Sequence, residues 1–466
     1  MANVKIKIPP NNIDERKYII EVIFKEFLGL DYHLVIGNYK DWEIELQNGC
    51  KLIIQDHFFN IHKQDLEYLK SENIPKSVSF ETKDNNPFIP EDDIPIIYGS
   101  PYLKIRQSLI ECGIDIFSSS FFMLTRWEEY VNKTRDLHNR FPAYASLSYK
   151  FKFLDRPIVN EYVEMLKNML LKLNNNLHFK KHEFKFLLTH DVDRPLKYPN
   201  ILIILIETMR EARETVINFL NRGNIRVFSN LISQIKSKMG IYFGLQKDPF
   251  DNFDYLMDLS EEIGTKSYFF FIGRGVTKFD SAYRSDDQFI KELVRKIKQR
   301  GHYIGMHASY NSFNNPDQFR REKEELEKNL DSQISFGRQH YLRFEVPTTW
   351  QIWEDNGMSW DSTLSYADKE GFRCGTCYEF SVFNVLSRKK LKLKEKPLVV
   401  MEGSFVGYQP EVTPDEMEKK IIILINKVRK YNGEFVFLWH NSSFNTITWR
   451  NYQHIYESVL RKSSGI

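Results

Sequence analysis

The chain has few cysteines, no long apolar run and little net charge. Four Cys among 466 residues are typical of a reducing compartment rather than of a disulfide-stabilised fold. The most apolar stretch, residues 201–206, is far shorter than the roughly 18 residues of a membrane span, and residues 1–10 lack the apolar core of a signal peptide. The formal net charge is only +3 with both signs interleaved, which gives no electrostatic case for nucleic acid as the main partner. We therefore expect a cytoplasmic protein without a membrane span.

What the chain has in abundance is length and aromatic side chains. Its 36 Phe, 24 Tyr and 7 Trp exclude a disordered chain, and its length is sufficient for two or three domains. A polar, Asn-rich break at residues 173–177 divides it. We predict a mixed α/β domain of unknown function over residues 1–178 and a second domain over residues 183–466. The pair Cys374 and Cys377 lacks two further zinc ligands at matching spacing, and we interpret it as structural.

Short apolar runs alternate with amphipathic helical patterns in the second half of the chain. The apolar runs that predict strands are residues 184–188, 267–272, 303–306 and 435–439. Strands that alternate with helices predict an α/β fold with a mostly parallel sheet, closed or partly closed as a barrel. Residues 197–248 interrupt this alternation and are helical in pattern and basic. We interpret them as a helical insertion near the mouth of the barrel.

Residues that can carry chemistry follow three of the predicted strands. Asp191 and Asp193 come after the first strand, His307 after the third and His440 after the last. The carboxyl ends of parallel strands meet at one edge of a sheet, where α/β proteins usually carry their functional residues. Two carboxylates spaced i, i+2 can divide the work, one binding a metal ion and the other accepting a proton. We therefore predict one functional site at this edge.

These segments, with others between them, resemble the motifs of the polysaccharide deacetylase family, carbohydrate esterase family 4. The resemblance depends on five segments: residues 189–193 (the first motif, with carboxylates spaced Asp-x-Asp), 305–312 (the histidine motif), 338–341 (the arginine motif), 360–377 (the fourth region) and 438–440 (the last motif). Segments 114–117, 121–129 and 140–142 resemble a bacterial subgroup that carries an extra N-terminal domain of unknown function. The resemblance thus covers nearly the whole chain.

The resemblance implies a distorted (β/α) barrel and a hydrolase of non-peptide C–N bonds. It implies removal of an acetyl group from an N-acetylated sugar or glycan precursor, in surface polysaccharide biosynthesis. The cofactor would be a divalent metal ion, zinc first, with cobalt, manganese and nickel as alternatives. The implied roles are metal binding by Asp193 and His307, general base catalysis by Asp191, orientation of that base by Arg338, general acid catalysis by His440, and an oxyanion contact from the backbone N–H of Tyr341.

One position departs from the family pattern. The second motif usually reads His-x-x-x-His, but the residue four positions after His307 is Asn311. An Asn oxygen binds zinc-like ions more weakly than imidazole does. His340 could supply the missing nitrogen, and so could His190, although strand alternation predicts that His190 points away from its neighbour Asp191. We place Asn311 slightly ahead of His340 as third ligand.

Several alternatives stay open. His340 and Trp439, with Tyr341, are candidates for contacts to the substrate or the oxyanion. A different substrate, such as a cyclic amide, is one alternative function, because Asp-x-Asp variants of this barrel are associated with such compounds. A non-catalytic carbohydrate-binding relative with a degraded metal site is another, and Asn311 favours it. The joint presence of Asp191, Arg338 and His440 favours the enzyme. The sequence indicates no oligomeric state.

Overall fold

The computed structural model describes residues 4–222, 226–280 and 283–464. The N-terminal part contains eight strands: β1 (Val4–Ile8), β2 (Tyr32–Ile36), β3 (Trp42–Leu46), β4 (Lys51–Ile54), β5 (Ser79–Thr82), β6 (Asp93–Ile96), β7 (Gly99–Ile105) and β8 (Leu109–Ile114). Strands β5 and β6 pair with each other, and the other six form a mixed sheet in the order β2-β1-β3-β4-β8-β7. The alternation of β3, with Trp42, Ile44 and Leu46 buried, turns one face of this sheet to the core.

Six helices accompany this sheet: α1 (Ile13–Ile20), α2 (Phe58–Ile61), α3 (Ile116–Thr125), α4 (Trp127–Val131), α5 (Leu147–Lys150) and α6 (Ile158–Leu173). Helix α1 continues as a π-helical segment over Glu21–Phe27. Helix α3 is buried throughout, and the Asp115 carboxylate caps it by accepting the Ser118 N–H at 3.0 Å. The aromatic segment 121–129 is helical, and Arg126, with φ 53°, divides it into α3 and α4.

Nine strands form the second large sheet: β9 (Lys185–Val192), β10 (Tyr268–Phe271), β11 (Tyr303–Ala308), β12 (Phe336–Gln339), β13 (Trp360–Asp361), β14 (Phe380–Asn384), β15 (Lys389–Glu395), β16 (Leu398–Met401) and β17 (Glu434–Leu438). Their order is β14-β15-β13-β12-β11-β10-β9-β17-β16, and only the β14–β15 pair is antiparallel. The predicted, mostly parallel sheet is confirmed. A closed barrel is not, because the edge strands β14 and β16 do not pair within the described residues.

The sheet is nevertheless strongly curled. Strands β9 and β12 are separated by β10 and β11, so a flat sheet would hold them about 14 Å apart. Arg338 on β12 nevertheless donates to the Asp191 carboxylate on β9 at 2.8 Å. On the same concave face, Leu342 packs with Leu398 and Leu438 from the far side of β9. The curl therefore brings side chains from distant strands into contact.

The helices of this part are α7 (Ile201–Arg222), α8 (Arg226–Tyr242), α9 (Phe253–Glu262), α10 (Gln288–Gln299), α11 (Pro316–Leu330), α12 (Thr348–Asp355), α13 (Glu402–Tyr408), α14 (Pro414–Lys430) and α15 (Gln453–Ser464). Helices α7 and α8 lie within residues 197–248, the segment that we interpret as a helical insertion. Thr413 and Glu416 make a capping box at the start of α14, as their spacing predicts. No helix within the described ranges is long and apolar enough to cross a membrane.

The two parts of the chain share one hydrophobic core, which contains residues of both sheets. Polar contacts join them as well. The Glu129 carboxylate, buried in the N-terminal part, accepts from Arg373 and from Arg126 at 2.9 Å, and Arg126 also donates to the Tyr366 hydroxyl at 3.1 Å. A separate N-terminal domain is therefore not confirmed. Cys374 and Cys377 are buried free thiols beside this contact region.

Candidate metal centre and acid–base site

The curled sheet brings together several candidate site residues of the sequence motifs. His307 Nε2 lies 3.1 Å from Asp193 Oδ1 and 3.7 Å from Asp191 Oδ2. His440 Nε2 lies 3.6 Å from Asp193 Oδ2. These residues come from β9, β11 and the segment after β17, which are distant in sequence. Asp191 lies inside β9 rather than after its end, and Asp193 follows the strand directly.

Three of these side chains could hold a metal ion. Ligand atoms of Asp193, His307 and His340 all lie within 4.8 Å of one another. His307 Nδ1 donates to the Arg338 carbonyl oxygen at 3.0 Å, and His340 Nδ1 lies 3.1 Å from Asp280 Oδ1. These contacts fix both rings and leave each Nε2 directed at Asp193, an arrangement typical of metal-binding histidines.

The chemistry of this cluster fits a zinc-like ion. Two imidazole nitrogens and one carboxylate form a donor set that suits zinc and its first-row neighbours. Asp193 Oδ1 is buried and has no hydrogen-bond partner among the described residues. Burial raises the pKa of Asp193, but the neighbouring His340, His307 and His440 outweigh it and hold this pKa well below its usual range. The carboxylate is therefore ionised and available as a ligand.

Asp191 is held separately from this cluster. Its Oδ1 accepts from Arg338 Nη1 at 2.8 Å, and both side chains are buried. The Arg338 guanidinium is itself fixed, since Nε donates to the Ser362 carbonyl oxygen at 2.7 Å and Nη1 to Thr189 Oγ1 at 3.1 Å. A fixed cation beside Asp191 both orients its carboxylate and complements its negative charge. The other carboxylate oxygen of Asp191, Oδ2, faces His307 Nε2 at 3.7 Å.

His440 has its own carboxylate partner. Its Nδ1 donates to Glu402 Oε1 at 2.6 Å, and its backbone N–H donates to the same oxygen at 2.8 Å. The Ser443 hydroxyl donates to that oxygen as well, at 2.7 Å. Burial lowers the pKa of His440, but the charges of Glu402, Asp193 and Asp191 outweigh it and raise this pKa to about 10. His440 therefore carries a proton on Nε2 at neutral pH, where it faces the cluster.

A small cavity of about 150 Å³ opens over these groups. Its lining consists of Arg140, Asp191, Asp193, His307, His340, Tyr341, Leu342, Met401 and His440. A larger cleft of about 710 Å³ shares Asp193, His340 and Tyr341 with it and extends to Phe279 and to Ile203 on α7. The acid–base groups and the metal cluster thus face a common space that a substrate can enter.

Other site residues predicted from the sequence lie elsewhere. Asn311 is exposed, its Oδ1 accepts from Arg343 at 3.1 Å, and it does not line the small cavity. Trp439 is buried in the core against Tyr456 and Trp449. Neighbouring side chains of an extended segment point to opposite faces of the sheet, so Trp439 points away from the cavity that His440 lines.

Three further predictions concern His190, His340 and Tyr341. His190 points away from Asp191, as predicted, and contacts the Trp439 carbonyl oxygen at 2.7 Å. His340, which we placed behind Asn311 as third ligand, is the residue that faces Asp193, at 3.5 Å. Tyr341 lines the cavity in a left-handed backbone conformation, with φ 61°, and its oxyanion role stays a prediction.

Sequence reasoning did not identify Glu402, Asp280 or Arg140. Glu402 directly follows the buried strand β16, so recognition of residues 398–401 as a strand would have identified it as another strand-end carboxylate. Asp280 reaches His340 from a loop 60 residues earlier in the chain. Arg140 donates to the Tyr341 carbonyl oxygen at 3.1 Å across 201 residues. No local pattern indicates such long-range contacts.

Comparisons with known proteins give a family-model match for the N-terminal part and weak matches to solved structures. Residues 4–175 match a family of unknown function, DUF7033. No curated protein matches the sequence. A putative polysaccharide deacetylase from Mycobacterium smegmatis is 16% identical, with 62% of this chain and 86% of that chain covered and a TM-score of 0.38.

Two further solved structures show the range of these relatives. A family 4 carbohydrate esterase from Streptomyces lividans, in complex with acetate, is 11% identical, with 46% of this chain and 83% of that chain covered and a TM-score of 0.26. A CE4 family pseudoenzyme from Bacillus anthracis is 12% identical, with 47% and 58% covered and a TM-score of 0.25. With likenesses this distant, and an esterase and a pseudoenzyme both among them, the function has to follow from the chemistry of the site.

Proposed function

We propose that the protein is a metal-dependent hydrolase that removes an acetyl group from an N-acetylated sugar. The observation that carries the proposal is the placement of a fixed carboxylate and a fixed imidazole beside a cluster that could hold a metal ion. Asp191 is held by Arg338 and faces His307, and His440 is held by Glu402 and faces Asp193. Hydrolysis of an amide requires a base for water and an acid for the leaving amine.

The residues divide this work as follows. Asp193, His307 and His340 would hold a divalent ion, which lowers the pKa of water and polarises a carbonyl when bound. Asp191 accepts the proton of the attacking water, and Arg338 orients its carboxylate through the hydrogen bond from Nη1. His440 donates its Nε2 proton to the nitrogen of the departing amine. The Glu402 carboxylate stabilises the protonated imidazole before that transfer.

The cleft beside the site suits a sugar. Two of its aromatic side chains, Phe279 and Tyr341, offer flat apolar faces of the kind on which sugar rings stack, and polar side chains line the cleft as well. The resemblance to a bacterial subgroup of polysaccharide deacetylases supports a glycan precursor as substrate, and a role in surface polysaccharide biosynthesis. A small cyclic amide would leave most of a 710 Å³ cleft unfilled.

The test combines metal analysis with an assay for acetate. We expect the purified protein to bind about one zinc-like ion per chain and to release acetate from N-acetylated sugars. Asp193→Ala should lose both. Asp191→Asn should keep the ion and lose about a thousandfold in turnover, because it removes only the base. The exposed carboxylate of Asp317, on α11, provides the control variant Asp317→Asn, which should keep both.

Three outcomes would contradict the proposal. Absence of acetate release with every divalent ion would overturn the assignment as a deacetylase. Hydrolysis of cyclic amides in parallel assays would make a cyclic amide, rather than an N-acetylated sugar, the substrate. Loss of the ion in Asp191→Asn would reverse the roles of the two carboxylates.

A further inference from the structure

The helical insertion exposes an unusual amount of apolar surface. Helix α7 carries seven exposed large apolar side chains: Leu202, Leu205, Ile206, Met209, Val216, Ile217 and Leu220. At about 100° per residue these positions fall within one arc of roughly 120°, so they form an apolar stripe along one face of the helix. Met209 and Leu220 are 72% and 75% exposed, which excludes a stripe that packs on the body of the protein. We call this set of residues the α7 stripe.

Helix α8 and the segment after it expose further apolar side chains. Phe228, Ile232 and Tyr242 are exposed on α8 at helical spacing, and Phe243 and Leu245 follow, the latter 81% exposed. Large exposed apolar patches on monomeric proteins mark interaction sites.

The charges of the insertion are segregated around the stripe. By sequence, residues 197–248 hold eight Lys and Arg against four Asp and Glu, a net charge of +4, whereas the whole chain has +3. The three acidic residues of α7, at positions 207, 211 and 214, fall on the helix face opposite the stripe. Arg213 lies within the arc of the stripe and Arg210 beside it, and both are exposed. Helix α8 has no acidic residue and carries the exposed Lys236 on the flank of its apolar positions.

The insertion is fixed to the rest of the protein despite this exposure. The Asp248 carboxylate accepts from the backbone N–H groups of Lys197 and Tyr198 at 2.8 and 2.9 Å, which closes the base of the insertion. Lys238 on α8 is buried and donates to Glu211 on α7 at 2.6 Å, which joins the two helices. The exposed apolar residues are thus presented by a defined helical pair.

We propose that this helical pair binds the surface of an anionic lipid bilayer. Apolar stripes flanked by Lys and Arg are the pattern of helices that lie in the plane of a membrane interface, where apolar groups enter the acyl boundary and cations contact anionic headgroups. A second copy of the chain would bring the exposed Arg210 and Arg213 of one copy near those of the other, which disfavours self-association through this patch. Ile203 on α7 lines the 710 Å³ cleft together with Asp193, so binding through α7 sets the cleft against the lipid surface.

The experiment measures co-sedimentation of the full chain with phosphatidylcholine vesicles, with and without phosphatidylglycerol. We expect binding only with phosphatidylglycerol, and weaker binding as salt increases. Arg210→Gln combined with Lys236→Gln should reduce it by roughly 25-fold, from about fivefold per basic residue at an anionic surface.

A matched pair of variants tests the apolar part of the surface. Ile206 on the α7 stripe and Ile423 on α14 are both 53% exposed. Ile206→Glu should reduce vesicle binding at least about tenfold, because it places a negative charge in the apolar face. Ile423→Glu should leave binding unchanged, and circular dichroism should show the same helix content in both.

Several results would overturn this inference. They are absence of vesicle binding, equal binding to vesicles of phosphatidylcholine alone, and an equal loss in Ile423→Glu. A dimer in solution that Ile206→Glu dissociates would assign the surface to a second copy instead. The outcome is independent of the proposed hydrolase activity, since Asp193→Ala should bind vesicles like the original protein.

Discussion

The contact between Glu402 and His440 gives the sharpest prediction about catalysis. Glu402→Gln keeps the size of the buried side chain and removes its charge. The Glu402 oxygen lies 2.6 Å from His440 Nδ1, so the variant exchanges a charge-assisted hydrogen bond for a neutral one. Such bonds contribute about 1.5–3 kcal/mol, against about 1 kcal/mol for neutral ones. Since 1.36 kcal/mol corresponds to one pKa unit, we expect the pKa of His440 to fall by about one unit.

This shift has a defined direction in the pH–rate profile. The general acid must carry its proton, so activity falls as pH rises through the pKa of His440. In Glu402→Gln the alkaline limb should move to lower pH by about one unit. The variant should therefore keep most of its activity near pH 6 and lose about tenfold relative to the original protein on the alkaline limb. Acetate release at saturating substrate, measured over the whole pH range, checks this.

The same contact affects stability in the protein without metal. The folded state raises the pKa of His440 to about 10, above the ordinary value of about 6.5. The contribution of this pKa shift to the free energy of unfolding is fully present below pH 6.5 and is lost as pH rises toward 10. Glu402→Gln should reduce this dependence, as urea unfolding at a series of pH values would show.

A control variant separates the role of Glu402 from the general loss of a buried carboxylate. Glu322 is also buried, where its carboxylate accepts the backbone N–H of Ser309 at 3.1 Å away from the cavity. Glu322→Gln should leave the alkaline limb in place. If Glu402→Gln lowers activity equally at all pH values with the limb unmoved, the assignment of His440 as general acid is refuted.

Other regions of the structure give further predictions. His340→Ala should weaken zinc affinity by more than about 100-fold and Asn311→Ala should leave it unchanged, as calorimetric titration would show; the reverse result would make Asn311 the third ligand. Arg126→Met should lower the free energy of unfolding in urea by about 3–5 kcal/mol, because it leaves the buried Glu128 carboxylate without its ion-pair partner and Glu129 with Arg373 alone, and a loss below about 1 kcal/mol would contradict this. The thiols of Cys374 and Cys377, whose pKa values burial raises, should react with a disulfide reagent only in urea, and rapid reaction in the folded protein would refute the structural interpretation.

The strands that carry the site were predictable because their signals are local. A run such as residues 184–188 is apolar enough to predict a buried strand whatever surrounds it, and β9 contains four of its five residues. Parallel strands turn their carboxyl ends to one edge, which is why Asp191, His307 and His440 could be expected near one another. Alternation along the strand also predicted correctly that His190 points away from Asp191.

The partners of these residues were not predictable, because they depend on the curl of the sheet and on loops. Asp280 and Glu402 fix His340 and His440 from positions 60 and 38 residues away. The sequence left Asn311 ahead of His340, since spacing within one motif was the available guide. In the structure, the turn after β12 directs His340 at Asp193, and Asn311 contacts Arg343 instead.

The sequence by itself determined which residue types stand at the ends of which strands, because hydrophobic periodicity and strand alternation act over a few neighbouring residues. Tertiary structure alone decided which of them meet. The bend of the sheet brings Arg338 to Asp191 across two intervening strands, and the shared core sets Arg140 beside Tyr341. Both depend on many contacts between residues distant in sequence, which no local pattern encodes.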